Sequence, residues 1–157
     1  NMSKNYIHDK SVRIITENLK KNTSLYCLNL SNNLVSNNDA ICISRYLSEN
    51  ASLGVLNISY NPIGTNGLSK ILEALCENTS LNTLKAQQCT NIDDHTVVLT
   101  CVWECLRKNN SLKKLYLTFD GHGSDDNAFL GFVDALSINN TLQVLEIEYA
   151  SDGMKTK

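Results

Sequence analysis

The chain contains no apolar run approaching the ~20 residues that a bilayer-spanning helix needs, which excludes a transmembrane helix. Its opening residues, NMSKNYIHDK, include no apolar core of a signal peptide. An excess of one charge is also lacking: a net charge of -2 and a pI near 5.9 argue against a surface for nucleic acid or an anionic membrane. Histidine occurs only at His8, His95 and His122, far apart in the chain, and no Ser/His/Asp or Cys/His frame accompanies them. A catalytic site needs a nucleophile and a base converging in one pocket, so the sequence reads as a non-enzyme. What remains is a soluble, globular composition, 42% hydrophobic and 19% charged, over 157 residues, the length of a single domain spanning 1–157.

Six cysteines are present: Cys27, Cys42, Cys76, Cys89, Cys101 and Cys105. No two neighbours repeat a spacing, and most sit in apolar, periodic surroundings, so they read as buried or half-buried free thiols rather than a disulfide framework. Cys101 and Cys105 lie four apart around Trp103, but His95 is the only nearby histidine, too few ligands for zinc. The acids between Phe119 and Asn127 lack the spacing of a calcium loop. No metal or cofactor is implied. Free thiols point to a reducing, cytoplasmic compartment, whereas five Asn-x-Ser/Thr tetrads, beginning at Asn22, Asn50, Asn78, Asn109 and Asn139, would suit a secreted glycoprotein.

Internal repetition resolves that conflict. Each tetrad ends in a Leu that opens the same frame, L-x-x-L-x-L-x-x-N/C. The copies start at Leu25, Leu53, Leu81, Leu112 and Leu142, a nearly even spacing along the chain. Ahead of each copy the apolar period changes from 2 to about 3.6. Residues six, ten and thirteen before the opening Leu, such as Leu47, Ile43 and Ala40, fall on one helical stripe. Every copy is therefore a helix followed by a strand, and stacking the copies buries what neither element could bury alone. The tetrad lies where helix becomes strand. Asn there is expected to take the left-handed conformation that ends helices, and Ser or Thr to bond the turn. The glycosylation signals are then by-products of turn chemistry.

The frame, its period of about 28 residues and the Asn or Cys at its ninth position resemble the leucine-rich-repeat family, and within it the ribonuclease-inhibitor-like subfamily. The resemblance covers roughly residues 8 to 150. It implies an α/β solenoid of five repeats, each of roughly 28–31 residues, with a curved parallel sheet on the concave side and α-helices on the convex side. It also implies protein binding through the concave sheet. Copies three to five depart from the pattern: Ala86 replaces the third apolar residue, and Cys89, Asp120 and Ala150 replace Asn at the ninth position.

Alternation along each strand presents the third, fifth, seventh and eighth residues of the frame. The eighth column would carry an exposed aromatic row, Tyr60, Phe119 and Tyr149, with Tyr116 nearby and Gln88 in the third copy. Aromatic side chains at such places make binding hot spots. The fifth column adds Asn29, Asn57, Lys85 and Glu146, and Tyr26 flanks the first strand. Lys85, Lys113 and Lys114 form a basic patch beside Glu146 and Glu148. Five strands at ~4.8 Å give a face of only about 400 Å², half of what a partner buries in a standard interface. The loops Gln88 to His95 and Phe119 to Asn127 are therefore expected to contribute.

A helix over about residues 4–21 is expected to cap the first strand. With no helix after the fifth, the last edge is expected to be covered by further chain, by the tail Ser151 to Lys157, or by a partner. The function read from all this is a module that binds another protein, with inhibition or regulation of a partner enzyme suggested by the resemblance alone. The alternative is a structural role, such as the actin-end binding of tropomodulin-like repeat domains, or GTPase regulation of the kind seen in Ran-activating repeat proteins. The excess of Lys over Arg admits a bacterial protein delivered into a host cell.

Overall fold

The computed structural model describes residues 1–89, 95–120 and 126–150, with the side chains of these except at 95, 120, 126–129, 149 and 150. The tail Ser151 to Lys157, His122 and most of the two loops expected to help binding lie outside the described residues. Among the described residues five helices and five strands alternate: α1 (Lys10–Leu19), β1 (Cys27–Asn29), α2 (Asn37–Glu49), β2 (Val55–Asn57), α3 (Gly64–Leu75), β3 (Thr83–Ala86), α4 (His95–Lys108), β4 (Lys114–Asp120), α5 (Asp126–Ile138) and β5 (Val144–Ala150). The strands form one parallel sheet in chain order, β1 to β5. Their register pairs Leu28 with Leu56, Leu56 with Leu84, Leu84 with Leu115 and Leu115 with Leu145. Structural neighbours are thus copies of the same frame position.

The first, fourth and sixth frame residues turn toward the helices. Leu53, Leu56, Ile58, Leu81, Leu84, Ala86, Leu112, Leu115 and Leu117 are all buried. They meet the helical stripe of Ala40, Ile43, Leu47, Leu68, Ile71, Leu75, Leu99, Val102 and Leu106 in a single core. Each fully buried Leu or Ile contributes about 1.5–3 kcal/mol relative to solvent exposure, so this seam dominates the stability of the stack.

At the helix-to-strand turn the tetrad Asn acts through its side chain. Asn50 Oδ1 accepts from Ser52 N at 3.0 Å and Leu53 N at 2.9 Å, while its Nδ2 donates to Leu19 O and Asn22 O of the preceding copy. Asn78, Asn109 and Asn139 repeat the pattern, each reaching the carbonyl of the earlier tetrad's Asn. The left-handed conformation expected there is not used: Asn50 is extended, at φ -95 and ψ 132. Two N–H groups held by one amide oxygen already close the turn. Asn50, Asn78 and Asn109 are buried and commit their amide nitrogens to the ladder, so a glycan on any of them would break it.

The chain's first residues take a form the expected capping helix did not foresee. Helix α1 starts only at Lys10, and residues 1–7 instead reproduce the end of a strand and its exit turn. Met2 N donates to Asn29 O and Lys4 N to Ser31 O, as Leu30 N does to Asn57 O and Asn32 N to Ser59 O. Asn5 Nδ2 donates to Met2 O and Ser3 O, as Asn33 Nδ2 does to Leu30 O and Ser31 O. NMSKNYI is thus in step with NLSNNLV and NISYNPI, one and two copies further on.

Candidate protein-binding face

The sheet face turned away from the helices is built from the fifth frame column. Register sets Asn29 beside Asn57, Asn57 beside Lys85, Lys85 beside Tyr116 and Tyr116 beside Glu146. In the first two copies the Asn side chains serve the fold: Asn29 Oδ1 accepts from Ser31 N at 2.9 Å, and Asn57 Oδ1 from Ser59 N at 3.0 Å. The character then changes. The Lys85 ammonium lies 5.0 Å from the centre of the Tyr116 ring, a cation held over a π face. Beyond the ring come exposed Glu146 and Glu148, and Thr118 Oγ1 donates to Glu148 Oε2 at 3.3 Å. Lys114 is exposed one step earlier on β4. The third to fifth copies therefore bring together cations, a ring and carboxylates on one face.

The eighth column splits. In the first three copies it is a left-handed turn residue, Asn32 at φ 54, Tyr60 at φ 59 and Gln88 at φ 50. Lys4, at φ 57, extends this ridge to the start of the chain. Tyr60 is 53% exposed on it, whereas Gln88 is half-buried. Phe119 does not join the row. It is 1% exposed and belongs to the core. The reason is strand length: β4 runs seven residues without turning, so strict alternation puts 119 on the same side as Leu115 and Leu117. The Tyr149 side chain is outside the described residues; its backbone pairs with Phe119. Tyr26 is exposed, and its ring covers Gly54, where an added Cβ would stand 2.0 Å from Tyr26 Cε2. It flanks the strand entries, away from the Lys85–Tyr116 patch.

The residues missed from sequence are those of the ridge's first step. The signal was present, since Lys4 and Asn5 stand one full period ahead of Asn32 and Asn33. Among the described residues no group of His, Cys, Asp and Glu is arranged to hold a metal ion, and no helix is long and apolar enough to cross a membrane.

Comparison with protein families matches residues 1–123 to the TMOD/LMOD leucine-rich domain, the leucine-rich domain of tropomodulins and leiomodins. The chain belongs to this family. The match is to a leucine-rich family, not specifically to the ribonuclease-inhibitor-like one expected above, and no catalytic family is indicated. Among solved structures, leiomodin-1 actin-binding site 2 superposes with a TM-score of 0.71 at 24% identity, over 88% of this chain and 78% of that one. The tropomodulin C-terminal domain from Caenorhabditis elegans superposes with a TM-score of 0.65 at 12% identity, over 92% of this chain and 86% of that one. At these identities the two structures speak to the fold. Comparison with curated protein sequences finds no significant match.

Proposed function

We propose that this chain is an actin-binding module that engages an actin subunit through its strand face and the adjoining strand-to-helix loops. The observation that carries the proposal is the Lys85–Tyr116 pair with Glu146 and Glu148 beside it, on a domain of the tropomodulin and leiomodin family. A half-buried ring held by a cation supplies the rigid anchor, and flanking charges of both signs supply register. The family match supports the tropomodulin-like alternative better than enzyme inhibition. Neither inhibition, nor GTPase regulation of the Ran-activating kind, nor delivery by a bacterium draws support from it, and we set all three aside.

The test is binding to purified actin, both monomeric and filamentous, by sedimentation and by polymerisation kinetics. Wild type is expected to bind one form. Lys85→Glu together with Tyr116→Ala is expected to weaken that binding ~10- to 100-fold, or about 1.4–2.7 kcal/mol, while circular dichroism shows an intact fold. A wild type without effect on either form of actin overturns the partner. Unchanged binding by the folded double variant overturns the face.

A further inference from the structure

The last strand of the sheet differs from the others at its outer edge. Among the described residues no strand lies beyond β5, which is seven residues long. In the internal copies the N–H of the sixth frame residue donates to the next copy, as Leu30 N does to Asn57 O at 2.8 Å and Ile58 N to Lys85 O at 2.9 Å. The same geometry aims the Ile147 N–H at the open edge. Leu142, Leu145 and Ile147 are half-buried, whereas Leu112, Leu115 and Leu117, in the same places one copy earlier, are at most 1% exposed. The apolar ground continues onto α5, where Leu130, Val133 and Ile138 are exposed.

Charge at this end is of one sign. From residue 126 to residue 150 the chain has Asp126, Asp134, Glu146 and Glu148, and no Lys, Arg or His. Asp134 is already paired with Arg107. Glu146 and Glu148 are exposed and stand two apart on β5, hence on one face of the sheet, while Leu145 and Ile147 turn to the other. Register with β4 sets a neutral residue beside each carboxylate, Tyr116 by Glu146 and Thr118 by Glu148.

We infer that the free edge of β5 docks an extended segment of another protein in which apolar and basic residues alternate, added as a sixth parallel strand. Like frame positions pair at every step of the sheet, so apolar residues would fall beside Leu145 and Ile147, and Lys or Arg beside Glu146 and Glu148. Main-chain bonds to the edge supply affinity, and opposite charges across the pair fix the register. A second copy of this chain fits poorly. Two β5 strands paired antiparallel about Ile147 set Glu146 against Glu148 twice, and like charges directly opposed are destabilising. The β1 edge of another copy is already taken, since Met2 N and Lys4 N bond the carbonyls of Asn29 and Ser31 there. The inference does not rest on the actin reading, which approaches the same carboxylates from the sheet face.

The experiment uses the whole chain without actin, so its outcome is separate from that of the actin assay. A fluorescein-labelled peptide of alternating Val and Lys, as long as β5, is titrated by anisotropy beside one of the same composition with its Val and Lys in two blocks. The alternating peptide is expected to bind at least ~10-fold more tightly than the block peptide. Glu146→Lys together with Glu148→Lys, at two exposed positions, is expected to weaken it ~10- to 100-fold with an unchanged circular dichroism spectrum. In wild type the Ile147 amide should exchange at least ~10-fold more slowly when the peptide is bound. Absence of binding, equal binding of the two peptides, unchanged binding by the folded double variant, or unchanged exchange at Ile147 overturns the proposal. Protection of Ile147 that grows with protein concentration in the absence of peptide also overturns it, by giving the edge to a second copy. Should the variant fail to fold, the two peptides and the exchange measured on wild type decide.

Discussion

Asparagine caps both ends of the strands in this molecule, and the two sets have different fates. At the strand entry, Asn22, Asn50, Asn78, Asn109 and Asn139 persist through every copy and all bond the following turn in the same way. At the strand exit the set runs Asn5, Asn33 and Asn61, then gives way to Cys89, Asp120 and Ala150. Strand length changes one copy later than that loss, because the third copy exits into Cys89 with Gln88 still left-handed. The first three strands have 3, 3 and 4 residues, and the last two have 7 each. Asn61 secures the left-handed Tyr60 before it by bonding carbonyls two and three residues back, whereas Gln88 is left-handed with Cys89 after it. In the fourth and fifth copies, with Asp120 and Ala150 at the exit, the ladder runs on, pairing Thr118 with Glu148 and Phe119 with Tyr149. At the entry turn Asn is kept throughout, and from Asn50 on its amide also satisfies a carbonyl of the preceding copy.

The sharpest break of this comparison lies at Phe119, the residue that the longer strand carries into the core. Phe119→Ala is expected to cost about 3–5 kcal/mol of unfolding free energy in urea titration, the range for deleting a fully buried ring. Tyr60→Ala, at the same frame position but on the exposed ridge, should change stability by less than ~0.5 kcal/mol. Equal losses at the two positions would mean that the eighth column is not split. Next in size is Asn109→Ala at the strand entry. It leaves Ser111 N and Leu112 N without their acceptor and takes the Nδ2 donor from the carbonyls of Leu75 and Asn78, the latter keeping Ser111 Oγ at 3.0 Å, all next to a 2% exposed residue. We expect a loss of about 3 kcal/mol in the same titration, since each orphaned group costs about 1–3 kcal/mol before relaxation. A loss below ~0.5 kcal/mol would show that the entry turn forms without its Asn.

The contrast also shows why some of the structure could be read from sequence and some could not. Repeat spacing, strand register and the helical stripe were legible because each copy states them independently in Leu and Ile positions. Lys85, Tyr116 and Glu146 were legible as one face for the same reason, since the fifth column needs only the register. The direction of Phe119 was not, because alternation past the seventh residue depends on whether the chain turns there. Asp120, where the copies that turn carry Asn or Cys, was the available sign. The left-handed residue was assigned to the wrong end of the strand, since Asn stands at both ends and composition does not say which one turns by backbone and which by side chain. The opening segment escaped because the frame was anchored on its first Leu, whereas residues 1–7 match it from the fifth position on.

The smaller of the two effects expected at Asn is the more informative about how an exit Asn can be lost. Asn61 Oδ1 accepts from Asn33 N and Val35 N, both at 3.1 Å, and its Nδ2 donates to Leu30 O across the stack. Cys89 occupies the equivalent place one copy later and replaces only the last of these, its Sγ reaching Ile58 O at 3.6 Å. Ile63 N, the counterpart of Val35 N, bonds instead to Asn61 O at 2.9 Å. The chain thus already contains a way to satisfy that N–H locally when no Asn follows. Asn61→Cys should therefore cost only about 1–2 kcal/mol, less than Asn109→Ala, with Val35 N turning to Asn33 O and its amide exchanging faster with solvent. A cost equal to that of Asn109→Ala would place both ladders on the same footing. The lengthening of β4 and β5 would then need a cause other than the loss of the exit Asn.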